Sequence, residues 1–158
     1  MNKVKILKVI LIILIILWTC LIFLFSSQDG GESSGFSRKF VEFFIKDPEV
    51  VDKIEPYVRK LAHFSEYGLG GVLFVSLFST YTWTDRRKIA TSILLGVWYA
   101  IMDEIHQLMV PGRSGALKDV YIDSLGIITG VIGMLIVIKI FEIIKNKRNS
   151  NNKVEAKI

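Results

Sequence analysis

Val9-Ile10-Leu11-Ile12-Ile13-Leu14-Ile15-Ile16-Leu17-Trp18-Thr19-Cys20-Leu21-Ile22-Phe23-Leu24-Phe25 is apolar throughout except for Thr19. With Ile6 and Leu7 it reaches the roughly 20 residues a helix needs to cross hydrocarbon. Lipid offers the backbone no hydrogen bonds, so a single segment there must be helical. Lys3, Lys5 and Lys8 precede this core, as in a secretory signal. However, Leu24-Phe25-Ser26-Ser27-Gln28 lacks a small-x-small cleavage site, and Leu17-Trp18-Thr19-Cys20 is a poor lipoprotein box. The segment reads as an uncleaved membrane helix over 6–25.

Working outward, three more apolar segments follow, at 57–81, 88–110 and 119–141. Pro56 suits a helix first turn, where its missing N–H costs nothing. Pro111-Gly112 terminates the third segment. Gly126, Gly130 and Gly133 give the fourth a nearly bare face suited to close helix packing. The expected fold is all-α and integral to a membrane: a bundle of four transmembrane helices forming one domain over 1–158, with a charged cytoplasmic tail at 142–158. The chain of 158 residues is 51% hydrophobic with mean hydropathy +0.46, which agrees. Cys20 is the only cysteine, so an internal disulfide is excluded.

Between the first two spans lies a polar loop with its own pattern. Phe36, Phe40, Phe43 and Phe44 recur at helical spacing, with Ser33 or Ser34 as caps and Asp47-Pro48 as a stop. This predicts a short amphipathic helix, either on the outer leaflet or packed on the bundle. A second short helix, Pro48 to Glu55, should lead into the next span.

The net charge of +5 carries orientation rather than nucleic-acid binding, because no basic stretch is interleaved with aromatics. With the N-terminus inside, the inner segments hold Lys3, Lys5, Lys8, Arg86, Arg87, Lys88, Lys139, Lys145, Lys147, Arg148, Lys153 and Lys157. The outer segments hold only Arg38, Lys39, Lys46, Lys53, Arg59, Lys60, Arg113 and Lys118, diluted by acids. The positive-inside rule therefore puts both termini in the cytoplasm.

That orientation brings three polar groups to the outer face. Lys60, His63, Glu66 and Tyr67 open the second span. Asp103, Glu104, His106 and Gln107 close the third, with Asp103, His106 and Gln107 expected on one face. Arg113, Asp119 and Asp123 lead into the fourth. Ionisable residues in a span are costly and commonly mark a site. The bland alternative is headgroup-level pairing, such as Lys60 with Glu66 or Asp119. As acid–base candidates we take Glu104, His106, His63 and Asp103, since a carboxylate beside an imidazole orients and polarises it. As binding candidates we take Lys60, Glu66, Gln107, Arg113, Asp119 and Asp123; Arg113 suits a phosphate or carboxylate through its fork. A divalent metal is compatible with these donors but not favoured, because His63-x-x-Glu66 supplies only two ligands. Ser65 and Ser114 read as packing or turn residues rather than nucleophiles.

These residues resemble the VanZ-like family. The matching motifs are Ser26-Ser27-Gln28, then Lys60-x-x-His63-Phe64-x-Glu66-Tyr67-x-x-Gly70, then Asp103-Glu104-x-His106-Gln107-x-x-x-Pro111-Gly112-Arg113, then Asp119-x-x-x-Asp123-x-x-Gly126-x-x-x-Gly130. The resemblance covers about 10–140. It implies a bacterial cytoplasmic-membrane protein; the family's namesake gives low-level teicoplanin resistance. The ten acid–base and binding candidates above are the family's characteristic positions, with Asn in many members where this chain has Asp123. The convergence of these polar groups at one level points to binding or modifying a lipid-linked or peptidoglycan-related molecule at the outer face. Membrane lipid, a lipid-linked cell-wall precursor or a glycopeptide would be the partner. The rival is a non-enzymatic scaffold that holds a lipid or a partner.

Overall fold

The computed structural model describes residues 2–28, 30–113 and 116–155. Every regular element among them is a helix: α1 (Lys3–Ser26), α2 (Gly30–Phe44), α3 (Pro48–Ser79), α4 (Asp85–Gln107) and α5 (Leu117–Glu155). Three of these, α1, α3 and α5, are long and apolar enough to cross a membrane. The chain is thus an all-helical protein of membrane type. α4 falls short of that composition, because charges at both ends leave only 89–102 uncharged.

α1 meets the bundle along a single stripe. Leu11, Trp18, Ile22 and Ser26 are buried, while Val9, Ile13, Leu17, Phe23 and Leu24 are about half exposed. A soluble monomer does not leave apolar surface of this extent to water. The stripe is anchored by Trp18. Its indole N–H donates to the Glu66 carbonyl of α3 at 2.8 Å. Its ring meets Tyr67 and Phe74 edge-on and lies tilted against Tyr99. Gly70 makes room for it, since a Cβ there would strike the indole.

The closest packing joins α3 to α5. A Cβ at Gly126 would strike the Phe64 carbonyl, one at Gly130 the Gly68 carbonyl, and one at Gly71 the Ile127 carbonyl. The glycine face therefore packs as its spacing suggests at 126 and 130. Gly133 differs: nothing lies within reach of a Cβ there.

The loop before α3 departs from expectation. α3 is one continuous helix from Pro48, with Pro56 inside it rather than in a first turn. Asp47 caps its start by accepting from the Glu49 N–H at 3.0 Å. An interior proline costs on the order of 3 kcal/mol. Packing of α2 on the leading segment offsets this: Val41 and Val51 are buried, Ser37 donates to Glu55, and Arg38 bridges to Asp52. Asp52 and then Glu42 push the already high Arg38 pKa further up. α2 begins at Gly30, so Ser33 and Ser34 lie within it and not at its cap; their side chains are outside the described residues. Phe36, Phe40, Phe43 and Phe44 are 56–76% exposed, so the aromatic stripe is not buried against the bundle. α2 docks instead through Ser37 and Val41.

α4 stops at Gln107, short of the expected Val110. A turn follows in which the Arg113 N–H donates to the Val110 carbonyl at 3.2 Å. Gly112 has φ 73°, so Pro111-Gly112 matches a type II turn, where only glycine is comfortable in the third position. α5 runs on to Glu155, so the helix continues through the charged segment after Phe141.

Candidate functional site

The end of α1, the first half of α3, the end of α4 and the start of α5 meet at one end of the bundle. Tyr67, fully buried, donates its hydroxyl to Asp103 at 3.0 Å. Gln107 donates to the same carboxylate oxygen at 2.9 Å. Arg113 ties the loop to this group, donating to the Gln107 side-chain oxygen and to the Phe25 and Gln28 carbonyls at 2.9–3.3 Å. Its planar fork is thus largely engaged in joining α1's end to α4's. Glu104, also buried, accepts from the Ala116 N–H at 2.8 Å and so closes the loop between α4 and α5.

Two adjoining cavities open at this end. The smaller, about 120 Å³, is lined by Arg59, Lys60, His63, Gln107, Gly112, Arg113, Asp119, Ile122 and Asp123. The larger, about 370 Å³, is walled mainly by apolar groups of α1, α2 and α3, including Ile22, Phe25, Phe36 and Phe40. His63, Glu66 and Asp103 are among its polar points. Arg59, His63 and Arg113 line both.

Sequence-derived candidates sort as follows. Lys60, His63, Gln107, Arg113, Asp119 and Asp123 come together at the small cavity, and Glu66 and Asp103 at the larger. Glu104 and His106 line neither. At this end of α4 the buried face consists of Asp103, Glu104 and Gln107. His106 sits roughly 100° off the middle of that face, by helix geometry. It turns to α1 instead, stacking on Phe23 at 4.6 Å with Nε2 3.1 Å from the Ser27 hydroxyl. The two histidines therefore do not share a site. Neither Lys60–Glu66 nor Lys60–Asp119 forms an ion pair among the described residues. Ser65 donates to the Leu61 carbonyl, while Ser114 lies outside the described residues.

No group of three or more His, Cys, Asp or Glu among the described residues is gathered closely enough to hold a metal ion. The donor set does not fit one, with His106 turned away and Glu104 committed to a backbone N–H. Arg59 is a wall residue that motif reading passed over as one more outer charge. Its spacing of four from His63, the same helix face, was the available signal.

The family model described as VanZ/LLP1 matches residues 11–141, a stretch that contains every lining residue of both cavities. The chain belongs to the VanZ/LLP1 family. No curated protein and no solved structure matches it. The polar residues of this VanZ-type protein thus converge at one bundle end, whichever of them act chemically.

Proposed function

We propose that this VanZ-type protein spans the bacterial cytoplasmic membrane four times, with both termini inside and the cavity end outward. There it binds or modifies an anionic amphiphile, a lipid-linked or peptidoglycan-related molecule. One observation carries the reading: a small cavity bordered by Arg59, Lys60 and Arg113 adjoins a larger apolar one, and they share Arg59, His63 and Arg113. Cations suit a phosphate or carboxylate head group, and the apolar cavity suits its chain. The exposed phenylalanines of α2 lie beside the apolar cavity, where a lipid-facing helix would admit a chain from the outer leaflet. α4 crosses as the third span in chain order, because its polar residues Ser92, Asp103, Glu104 and Gln107 are buried in the bundle, which lowers the demand on its own hydropathy. Interference with teicoplanin, which acts at the same layer, would follow from occupancy of this site.

The scaffold reading keeps one specific observation. Glu104 and Arg113 spend hydrogen bonds on backbone groups, and that is structural work. The two readings part in one experiment. Purified protein is titrated with short-chain phosphatidic acid and with short-chain phosphatidylcholine, following its melting temperature. We expect stabilisation by the anionic lipid only, lost in Arg59→Ala/Lys60→Ala and retained in Glu104→Gln. In parallel, a sensitive host expressing wild type should tolerate more teicoplanin than one expressing the double variant at equal membrane level. Equal stabilisation of wild type and double variant would favour the scaffold.

A further inference from the structure

The small cavity has a second layer behind its cations. Asp123 is fully buried, and neither of its carboxylate oxygens has a hydrogen-bond partner. Ion-free buried carboxylates of this kind are rare, because desolvation is costly unless something compensates it. His63 Nδ1, itself buried and without a hydrogen bond, lies 3.9 Å from Oδ1. His63 as a whole is not buried: its side chain is 27% exposed and it lines both cavities. The imidazole thus has a sealed edge toward α5 and an open edge toward the cavities. A tilt of under about 1 Å would bring Nδ1 into hydrogen-bond range of the carboxylate.

We propose that Asp123 is a positioning residue that acts through His63. It accepts the Nδ1–H, fixes that tautomer, and leaves Nε2 bare as a proton acceptor for an O–H group held in the cavity. That O–H is a hydroxyl of the bound head group or a water beside it. The neutral ring can hold its proton on only one nitrogen, and the partner of that nitrogen decides which. A carboxylate accepts only, so it selects Nδ1–H. The other charged groups of the cavity lie elsewhere on its wall: Arg59 and Lys60 share α3 with His63, Arg113 comes from the loop, and Asp119 stands one turn before Asp123. The roles divide accordingly. The cations hold an anion, the imidazole meets an O–H, and Asp123, also on the cavity wall, acts through the imidazole.

The identity of the O–H group rests on the proposed ligand reading; the tautomer does not, so the two fail separately. The chain has two histidines, which makes the test direct. Full-length protein carrying His106→Gln and 15N-labelled histidine is placed in lipid nanodiscs at alkaline pH, where histidine is neutral. Its two ring nitrogens are then assigned by NMR. We expect protonated Nδ1 and bare Nε2 in this background, with Asp123→Leu moving the ring to a majority Nε2–H form. A bare Nδ1 while Asp123 is present overturns the proposal, and needs no folded variant to do so. An unchanged tautomer in a folded Asp123→Leu protein also overturns it, since a merely structural Asp123 would leave the ring alone. Adding short-chain phosphatidylglycerol, a phosphate that carries hydroxyls, should shift Nε2 more than phosphatidic acid does. Equal shifts would assign the O–H to water.

Discussion

Asp103 shows how a single carboxylate organises this end of the bundle. One of its oxygens accepts from Tyr67 on α3 and from Gln107 on its own helix. Gln107 in turn presents its carbonyl to Arg113. Removing one donor leaves a buried charge less satisfied, which costs more than an average hydrogen bond contributes. Tyr67→Phe should therefore destabilise the protein by about 1–3 kcal/mol. Reversible unfolding in mixed micelles would measure it, and a cost below the error would show that Asp103 is satisfied without the phenol. The motif placed Tyr67 with Lys60, His63 and Glu66 at the opening of the second span. It could not show that Tyr67 reaches Asp103, because that bond joins residues 36 apart.

At the scale of elements, the α3–α5 contact is set by small residues. Gly71 lies so close to the Ile127 carbonyl that a methyl group there would push backbone against backbone. Gly71→Ala is expected to cost about 1–3 kcal/mol through overpacking. Gly133→Ala meets nothing and removes a flexible residue from a helix, so it should be neutral or stabilising by up to about 1 kcal/mol. Equal effects at both positions would mean the helices do not pack in this register. The spacing at 126 and 130 announced a packing face. Where that face ends depends on the crossing of two helices, which no local pattern contains.

The whole molecule has a charge asymmetry that predicts its orientation. Lys118, exposed beside the cavity end, and Lys147, near the far end of α5, should lie on opposite sides of the membrane. In a Cys20→Ser background, Lys118→Cys should react with an impermeant maleimide added to spheroplasts, and Lys147→Cys only after lysis. The reverse pattern would place the cavities in the cytoplasm and remove the outer-leaflet reading. α5 makes the test clean, since its 39 residues give a length of roughly 58 Å, well beyond the hydrocarbon core of about 30 Å.

Helical class, the apolar segments and the gathering of Lys60, His63, Asp119 and Asp123 were all legible in the chain, because hydropathy and helical period are local quantities. Reversal of direction at each connection then brings distant motifs to one level. Three things were settled only by tertiary structure. His106 turns toward Phe23 rather than His63, because the buried face of α4 is chosen by what α3 and α5 present to it. α3 continues through Pro56, because α2 packs on the segment before it and outweighs the lost hydrogen bond. Asp123 is fully buried beside His63 on the cavity wall, since a glycine face lets α5 approach α3 closely. Each depends on contacts between residues far apart in the chain, and those contacts set burial, which sequence spacing does not encode.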